Sequence, residues 1–364
     1  MSDPRNQPLR AGIIGCGNIA GQYLGTFENG KEVAIVGVCD LDEAKARAFG
    51  NEHRLPVYSS REELLADPAI EAVVNLTIHH AHYEVTRAAL EAGKHVYSEK
   101  PLAMQPAQAH KLVGLAEQKG LLLSCAPITY LGEAQQTLGK RVRSGELGKI
   151  RVIYAEVNHG RIETWHPNPG PFYEVGPMLD VGVYPVTLAT AFLGPVRQVR
   201  AVGKQLLPER QTKNGEAFTF EKPDFFLALL EFESGAIMRL TANFYVMQTV
   251  NGRHVVEFHG DAGTAGADSW CDFACPVRAA PYGEPLREVP NDFDDPEGGI
   301  VWSRGLFDFV AAIRQGRPPR ATGAHAAHVL DVLTAIDRSA AEEGARQSVT
   351  SDFPLPPPWE VTQA

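Results

Sequence analysis

Residues 15–20 read Gly15-Cys16-Gly17-Asn18-Ile19-Ala20, a G-x-G-x-x-A pattern set between the apolar run Arg10 to Ile14 and a stretch with helical spacing. The first glycine allows a tight turn, the second lets the backbone approach a pyrophosphate, and the small third residue permits close packing of helix on strand. Free amides of Gly17, Asn18 and Ile19 at the helix start then favour the anion. Twenty residues after Ala20, Asp40 ends a second apolar run, where its carboxylate can accept hydrogen bonds from ribose hydroxyls and repel a 2′-phosphate. The pattern predicts a dinucleotide site that takes NAD in preference to NADP. Lys45 and Arg47, in the next helical stretch, are the cations that could serve a phosphate instead.

A second group lies in the segment His159 to Pro169, which holds two histidines, a glutamate and Trp165. Aromatic faces suit the apolar face of a sugar ring, and imidazoles and carboxylates bind hydroxyls, so Trp165 and His166 are candidate substrate-binding residues. The run His79-His80-Ala81-His82 has metal-ligating side chains, but neighbours on a strand-end loop point in different directions. His79 and His82 are therefore expected to touch cofactor. Cys271 and Cys275 form one C-x-x-x-C pair with no second pair at zinc spacing, so no metal is expected.

These residues need a scaffold, and the first 125 residues supply one in alternating apolar runs and amphipathic stretches. Arg10 to Ile14, Val33 to Cys39, Ala72 to Leu76, His95 to Tyr97 and Leu121 to Ser124 read as buried parallel strands. Ser60 with Glu63 predicts a capping box, Gly93 a helix end and Pro106 a helix start. From Ile150 the period changes to two, over Ile150 to Val157, Val196 to Val202, Phe225 to Phe232 and Ala236 to Phe244, as in half-buried antiparallel strands. Ser234-Gly235 marks a hairpin between the last two. Asp180 to Leu193 is helix-like apart from Gly182 and Pro185, and two late helices, Trp302 to Gln315 and His325 to Glu343, follow. The expected fold class is α/β plus α+β: a Rossmann doubly wound parallel sheet over residues 1–126, then a domain over 127–364 built on a large, mostly antiparallel open sheet.

At 364 residues the chain exceeds the size at which one core stops growing, in keeping with two domains. Thirty-four Lys and Arg against forty-four Asp and Glu give a formal charge of −10, which disfavours nucleic acid. No window reads as the eighteen or more apolar residues of a membrane span, and five cysteines fit a reducing cytoplasm. The opening MSDPRNQPLR reads as a frayed arm and the closing SDFPLPPPWE as an extended surface tail.

The segment EAVVNLTIHHAHYEVTRAALEAGKHVYSEKPLA, residues 71–103, resembles the glucose-fructose oxidoreductase, inositol dehydrogenase and MocA (Gfo/Idh/MocA) family. The resemblance is carried by Thr77, His82, the run Ala92 to Val96 and Glu99-Lys100-Pro101, and extends to Ser144 to Ile150. It implies a nicotinamide-dependent oxidoreductase that moves a hydride between cofactor and a carbinol of a sugar, polyol or derivative. It also implies a homodimer or homotetramer built through the open sheet face. Thr77, Glu99 and Lys100 become implied cofactor contacts, and Lys100 an implied proton-transfer group, since a lysine beside the positively charged nicotinamide should have a lowered pKa. A second family mark is Gly176-Pro177-Met178-Leu179-Asp180-Val181-Gly182-Val183-Tyr184, which implies a site Asp and, four residues on, an acid/base side chain. Asp180 and Tyr184 stand one helical turn apart. Tyr184 replaces the His of the inositol dehydrogenases and is similar to the Tyr-bearing branch, so Lys100 with Tyr184 is expected to handle the hydroxyl proton and Asp180 to orient. Two other readings share the fold: a non-catalytic dinucleotide- or sugar-sensing regulator, and a glycosidase that uses NAD transiently.

Overall fold

Five apolar runs near the start of the chain become the strands β1 (Leu9–Ile14), β2 (Val33–Cys39), β3 (Ala72–Asn75), β4 (His95–Ser98) and β5 (Leu123–Cys125). All are parallel, in the order β2-β1-β3-β4-β5. The computed structural model describes residues 7–27, 32–250, 254–293 and 298–357, and the chain divides into two units. Sheets of this kind are covered on both faces, and β3 is buried at every residue. Helices α1 (Asn18–Gly25), α2 (Glu43–His53), α3 (Arg61–Ala66), α4 (His82–Glu91) and α5 (Pro106–Lys119) fill the crossovers. Ser60 caps α3 through the Glu63 amide, although Glu63 turns its carboxylate to Ser59 rather than closing the box on Ser60. Pro106 opens α5, and Gly93 takes φ +78° just past α4.

The first unit ends at Ile128, two residues past the expected boundary, and it also includes residues 301–327, which the sequence placed in the second domain. The helix Arg304–Gln315 packs Phe309 on Tyr97, and Gly305 makes the approach possible, since a Cβ there would come within 2.4 Å of Ile128 and 2.6 Å of the Tyr97 hydroxyl. Ser124 donates to the Ala321 carbonyl at 2.6 Å, adding the returning chain beside β5. A return of this kind leaves no local periodic signal, so sequence order alone assigned it wrongly.

The second unit is a nine-stranded mixed sheet. Its strands are β6 (Ile150–Asn158), β7 (Val196–Lys204), β10 (Phe225–Phe232), β11 (Ile237–Asn243), β12 (Val256–Gly260), β13 (Gly263–Ala267), β14 (Val277–Pro281), β15 (Arg287–Glu288) and β16 (Gln347–Ser348). Between β7 and β10 a small hairpin pairs β8 (Glu209–Gln211) with β9 (Ala217–Thr219). The expected β10–β11 hairpin is present, with Gly235 at φ +85° in its tip, but β6 pairs with β11 in parallel. Strands after Asn243 were not anticipated, because Gly263, Gly266 and several alanines dilute their alternation. One sheet face is covered by α6 (Glu133–Ser144) and α8 (Val183–Leu193), the latter following α7 (Gly170–Pro177) and a π-helical turn, Met178–Gly182. The segment Gly170–Leu193 is long and apolar enough to cross a membrane, contrary to the sequence reading, but its most apolar 18-residue stretch is 94% buried inside the structure. It is a core element, kinked at Gly176. The tail's Phe353 is buried, while residues 1–6 of the opening arm and 358–360 of the tail lie outside the described residues.

The hairpin β8–β9 is anchored by charge. Arg210, fully enclosed, donates to Glu163 at 2.7 Å and Asp224 at 2.5 Å, and stacks over Tyr173, whose hydroxyl donates to Glu163 at 2.5 Å. Breaking a buried ion network by removing one partner strands its counter-charges, at a cost of about 3–5 kcal/mol. Arg210→Met is therefore expected to lower unfolding stability in denaturant titrations by about that much. Adding Glu163→Gln and Asp224→Asn should restore part of the loss, and an unmoved midpoint for the single variant would refute this role.

Candidate functional site

At the carboxyl end of β1, Gly15 has φ +101°, and a Cβ there would lie 2.6 Å from the backbone of Leu76 and 2.7 Å from the Thr77 amide. Only glycine fits. Gly17 differs: a Cβ would meet nothing within 4 Å, so its face is open just where α1 begins, and no side chain caps that helix. The loop thus offers backbone amides of Gly17, Asn18 and Ile19 to an anion, which fits the pyrophosphate of a dinucleotide. Asp40 receives the Cys16 amide at 2.8 Å on one carboxylate oxygen and the Asp42 amide at 2.9 Å on the other, fixing the carboxylate against the glycine loop. Lys45 faces Asp42 and Arg47 pairs with Glu43, so both cations are engaged by acidic side chains of α2 or its cap.

The next strand end is organised by a residue that sequence reasoning missed. Asn75, fully buried at the end of β3, accepts from the Thr77 hydroxyl at 2.7 Å and donates to Thr86 at 3.0 Å. A lone polar residue closing an apolar strand was the available signal. His79 follows in a short 3₁₀ turn, its ring beside that of His80. His82 is almost wholly buried, with Nε2 2.9 Å from the Thr77 carbonyl and Nδ1 2.6 Å from the Pro101 carbonyl. Burial pushes its pKa below the ordinary histidine value. Its ring, expected to touch cofactor, braces two loops internally.

That brace reaches the Glu99-Lys100-Pro101 turn. Glu99 is buried, accepting the Tyr23 hydroxyl at 2.7 Å and the Lys100 amide at 2.9 Å on its two oxygens. The buried Tyr23 phenol is held protonated, first by desolvation and then by the Glu99 charge. Glu99, expected to touch cofactor, uses its carboxylate to set the backbone that carries Lys100. The Lys100–Pro101 bond is cis.

In the second unit, Asp180 sits within the π turn and Tyr184 in the first turn of α8, with Pro185 tolerated beside it. The wider turn alters the simple one-turn spacing expected of the pair, and Gly182 permits it, since a Cβ would come 2.5 Å from the Met178 sulfur. Tyr184 stacks on Trp270 with ring centroids 4.7 Å apart and planes at 23°. Trp270 also meets His254 at 5.0 Å, and His159 lies 6.3 Å from His254 and 5.6 Å from Trp165. Aromatic rings thus run from Tyr184 to the 159–169 loop. Trp270 and His254 were invisible to sequence reasoning because they lie in a stretch without periodicity.

Within that loop, Trp165 is 42% exposed and contacts His166 and Phe172. His166 Nδ1 lies 2.8 Å from the Asn168 carbonyl. Glu163, read as a possible hydroxyl binder, instead turns inward to Arg210 and Tyr173. At the loop's root Asn243 donates to Asn158 at 2.8 Å, and the His159 amide donates to the Asn243 carbonyl at 3.1 Å.

Residues 9–126 match the model of the oxidoreductase family with an NAD-binding Rossmann fold, and residues 135–266 match the Gfo/Idh/MocA C-terminal domain. D-glucoside 3-dehydrogenase of Escherichia coli (strain K12) is 26% identical over 94% of this chain and 97% of its own length. The trans-1,2-dihydrobenzene-1,2-diol dehydrogenase of Homo sapiens is 27% identical over 80% of this chain and 84% of its own. Among solved structures, levoglucosan dehydrogenase in complex with NADH and L-sorbose has the same fold, with a TM-score of 0.80 at 21% identity over 95% of this chain and all of that one. The glycine cradle, the matched residues and the shared fold together establish that this chain belongs to the Gfo/Idh/MocA oxidoreductase family, with an NAD-binding Rossmann domain.

Proposed function

We propose that the protein is an NAD-dependent dehydrogenase acting on a carbinol of a sugar, polyol or close derivative. The observation that carries this reading is the Glu99-braced turn, which presents Lys100 at the carboxyl end of β4, on the same edge of the parallel sheet as the glycine loop. Ligands of open α/β sheets bind at that edge. The nicotinamide, when bound, accepts or returns a hydride. The chain's own tasks are then to hold the dinucleotide through Gly15, Gly17 and Asp40, to take the hydroxyl proton through Lys100 and Tyr184, and to orient the substrate through Asp180. Trp165 offers an exposed ring face to a sugar, and the sugar-active relatives support that substrate class.

Incubation with NAD and a panel of sugars and polyols should yield reduced cofactor with at least one of them. Lys100→Met and Tyr184→Phe should each lower turnover by about a hundredfold to ten-thousandfold with NADH binding nearly intact. The double variant should be little worse than the poorer single one, as for groups sharing one proton. Near-normal turnover in Tyr184→Phe would reduce that residue to packing, and glycoside cleavage without accumulation of NADH would replace this reaction by a hydrolytic one.

NAD is favoured over NADP because the fixed Asp40 carboxylate would repel a 2′-phosphate. Binding titrations of the unaltered protein should show the tighter complex with NADH, and Asp40→Ala should narrow the gap. Tighter NADPH binding by the unaltered protein would contradict the assignment.

We also propose a homodimer or homotetramer formed through the open sheet face. Val202, Leu227, Leu229, Ile237 and Tyr154 stand outward on neighbouring strands, with Leu229 47% exposed. Exposed apolar side chains gathered on one sheet face, here interspersed with Arg200, Arg239 and Glu156, suit an interface between copies. Leu229→Arg should shift the sedimentation coefficient towards the monomer value, whereas a monomeric unaltered protein would end this proposal. None of the five cysteines is in a disulfide and four of them are buried, which supports a reducing compartment, and we place the protein in the cytoplasm.

A further inference from the structure

A cavity of about 580 Å³ opens in the second unit between α6, the last turn of α8 and residues 356–357. Its size is that of a small-molecule site. Phe192, Phe293 and Pro357 give it apolar walls, while Lys140 and Arg143 project from α6 on another side. The two cations are in different states. Lys140 is neutralised by Asp292 at 3.0 Å. Arg143 makes one hydrogen bond, from Nη1 to the Pro356 carbonyl at 2.9 Å, and no carboxylate pairs with it among the described residues. Two residues earlier on the same helix, Arg141 has its carboxylate, Glu146, at 2.8 Å.

Arg143 therefore brings a guanidinium with most of its five donors unclaimed to the rim of a concave, aromatic-walled space. Partial burial disfavours its charged form, a cost that an anion in the cavity would offset. A planar fork of donors matches a carboxylate bidentately, and the flat rings of Phe192 and Phe293 suit a ring behind it. We propose that this cavity binds a small organic anion, a carboxylate on an aromatic or alicyclic ring, with Arg143 as its counter-ion and Phe192 and Phe293 against the ring. The site is separate from the residues assigned to the reaction: Phe192 lies eight residues along α8 from Tyr184, about 12 Å of helix rise. The two residues share one helix, so an occupant of the cavity bears on the element that carries Tyr184.

Isothermal titration of the whole protein, saturated with NADH, tests this with benzoate as the probe and benzamide as its neutral match. Benzoate should bind saturably at one site, and benzamide at least about tenfold more weakly, since each tenfold corresponds to roughly 1.4 kcal/mol. Arg143→Gln should weaken benzoate by about tenfold or more, with Arg143→Lys intermediate. Because removing Arg143 leaves no carboxylate among the described residues without its partner and costs one hydrogen bond to the tail, these variants should keep an unfolding midpoint close to that of the parent. Lys100→Met should bind benzoate as tightly as the unaltered protein does. The proposal fails if benzoate does not saturate, if benzamide binds equally well, if Arg143→Gln binds like the parent, or if Lys100→Met abolishes binding.

Discussion

One buried imidazole ties together the strand ends on which the dinucleotide chemistry of this chain depends. His82 lies between the Thr77 and Pro101 carbonyls, and so joins the loop after β3 to the turn after β4. The Thr77 loop is in turn pressed against Gly15, where the space for a Cβ is missing. The glycine loop, the Thr77 loop and the lysine-bearing turn are thus one connected piece of backbone, and a shift in any of them is felt by the others. A neutral imidazole has one N–H to give, and its tautomer decides which carbonyl receives it. Burial keeps the ring uncharged, which matters beside a turn whose lysine is itself a cation and adds to the same effect.

Glu99 solves a related problem on the other side of that turn. Its carboxylate, buried against Tyr23 and the Lys100 amide, is satisfied by donors from two directions. A buried carboxylate without such donors would be costly or protonated. The arrangement spends a charged group on rigidity: the backbone of Lys100 is fixed. In the second unit, the Arg210 network does the same for the aromatic loop, holding Glu163 inward so that the neighbouring Trp165 stays at the surface. In both units the residues proposed to serve function are neighbours of buried, paired charges.

Which parts of this could be read from the sequence follows from the range of the interactions involved. Gly15, Gly17 and Asp40 act through local backbone geometry, and their spacing encodes it. The parallel strands and the β10–β11 hairpin declare themselves by runs and periods of a few residues. The return of residues 301–327 to the first unit, the parallel pairing of β6 with β11, and the stacking of Trp270 on Tyr184 depend on partners far away in the chain. The internal partners of polar residues were hidden for the same reason: His82, Glu99 and Glu163 have the chemistry of binding groups, and only their surroundings show that they also brace loops.

The π turn at Met178–Gly182 brings these threads together. A regular helix over this segment would have set Asp180 and Tyr184 at a spacing the sequence could predict. The inserted turn widens the helix locally and is accommodated by Gly182 beneath the Met178 sulfur and by the kink at Gly176. Such turns forgo regular hydrogen-bond geometry and persist where a particular direction of a side chain is worth the loss. Here the turn carries Asp180 and runs directly into the first turn of α8 with Tyr184, the two residues that the family resemblance assigns to the reaction. Their directions are set independently of helical phase, by a backbone irregularity that the tightly packed core around α8 holds in place.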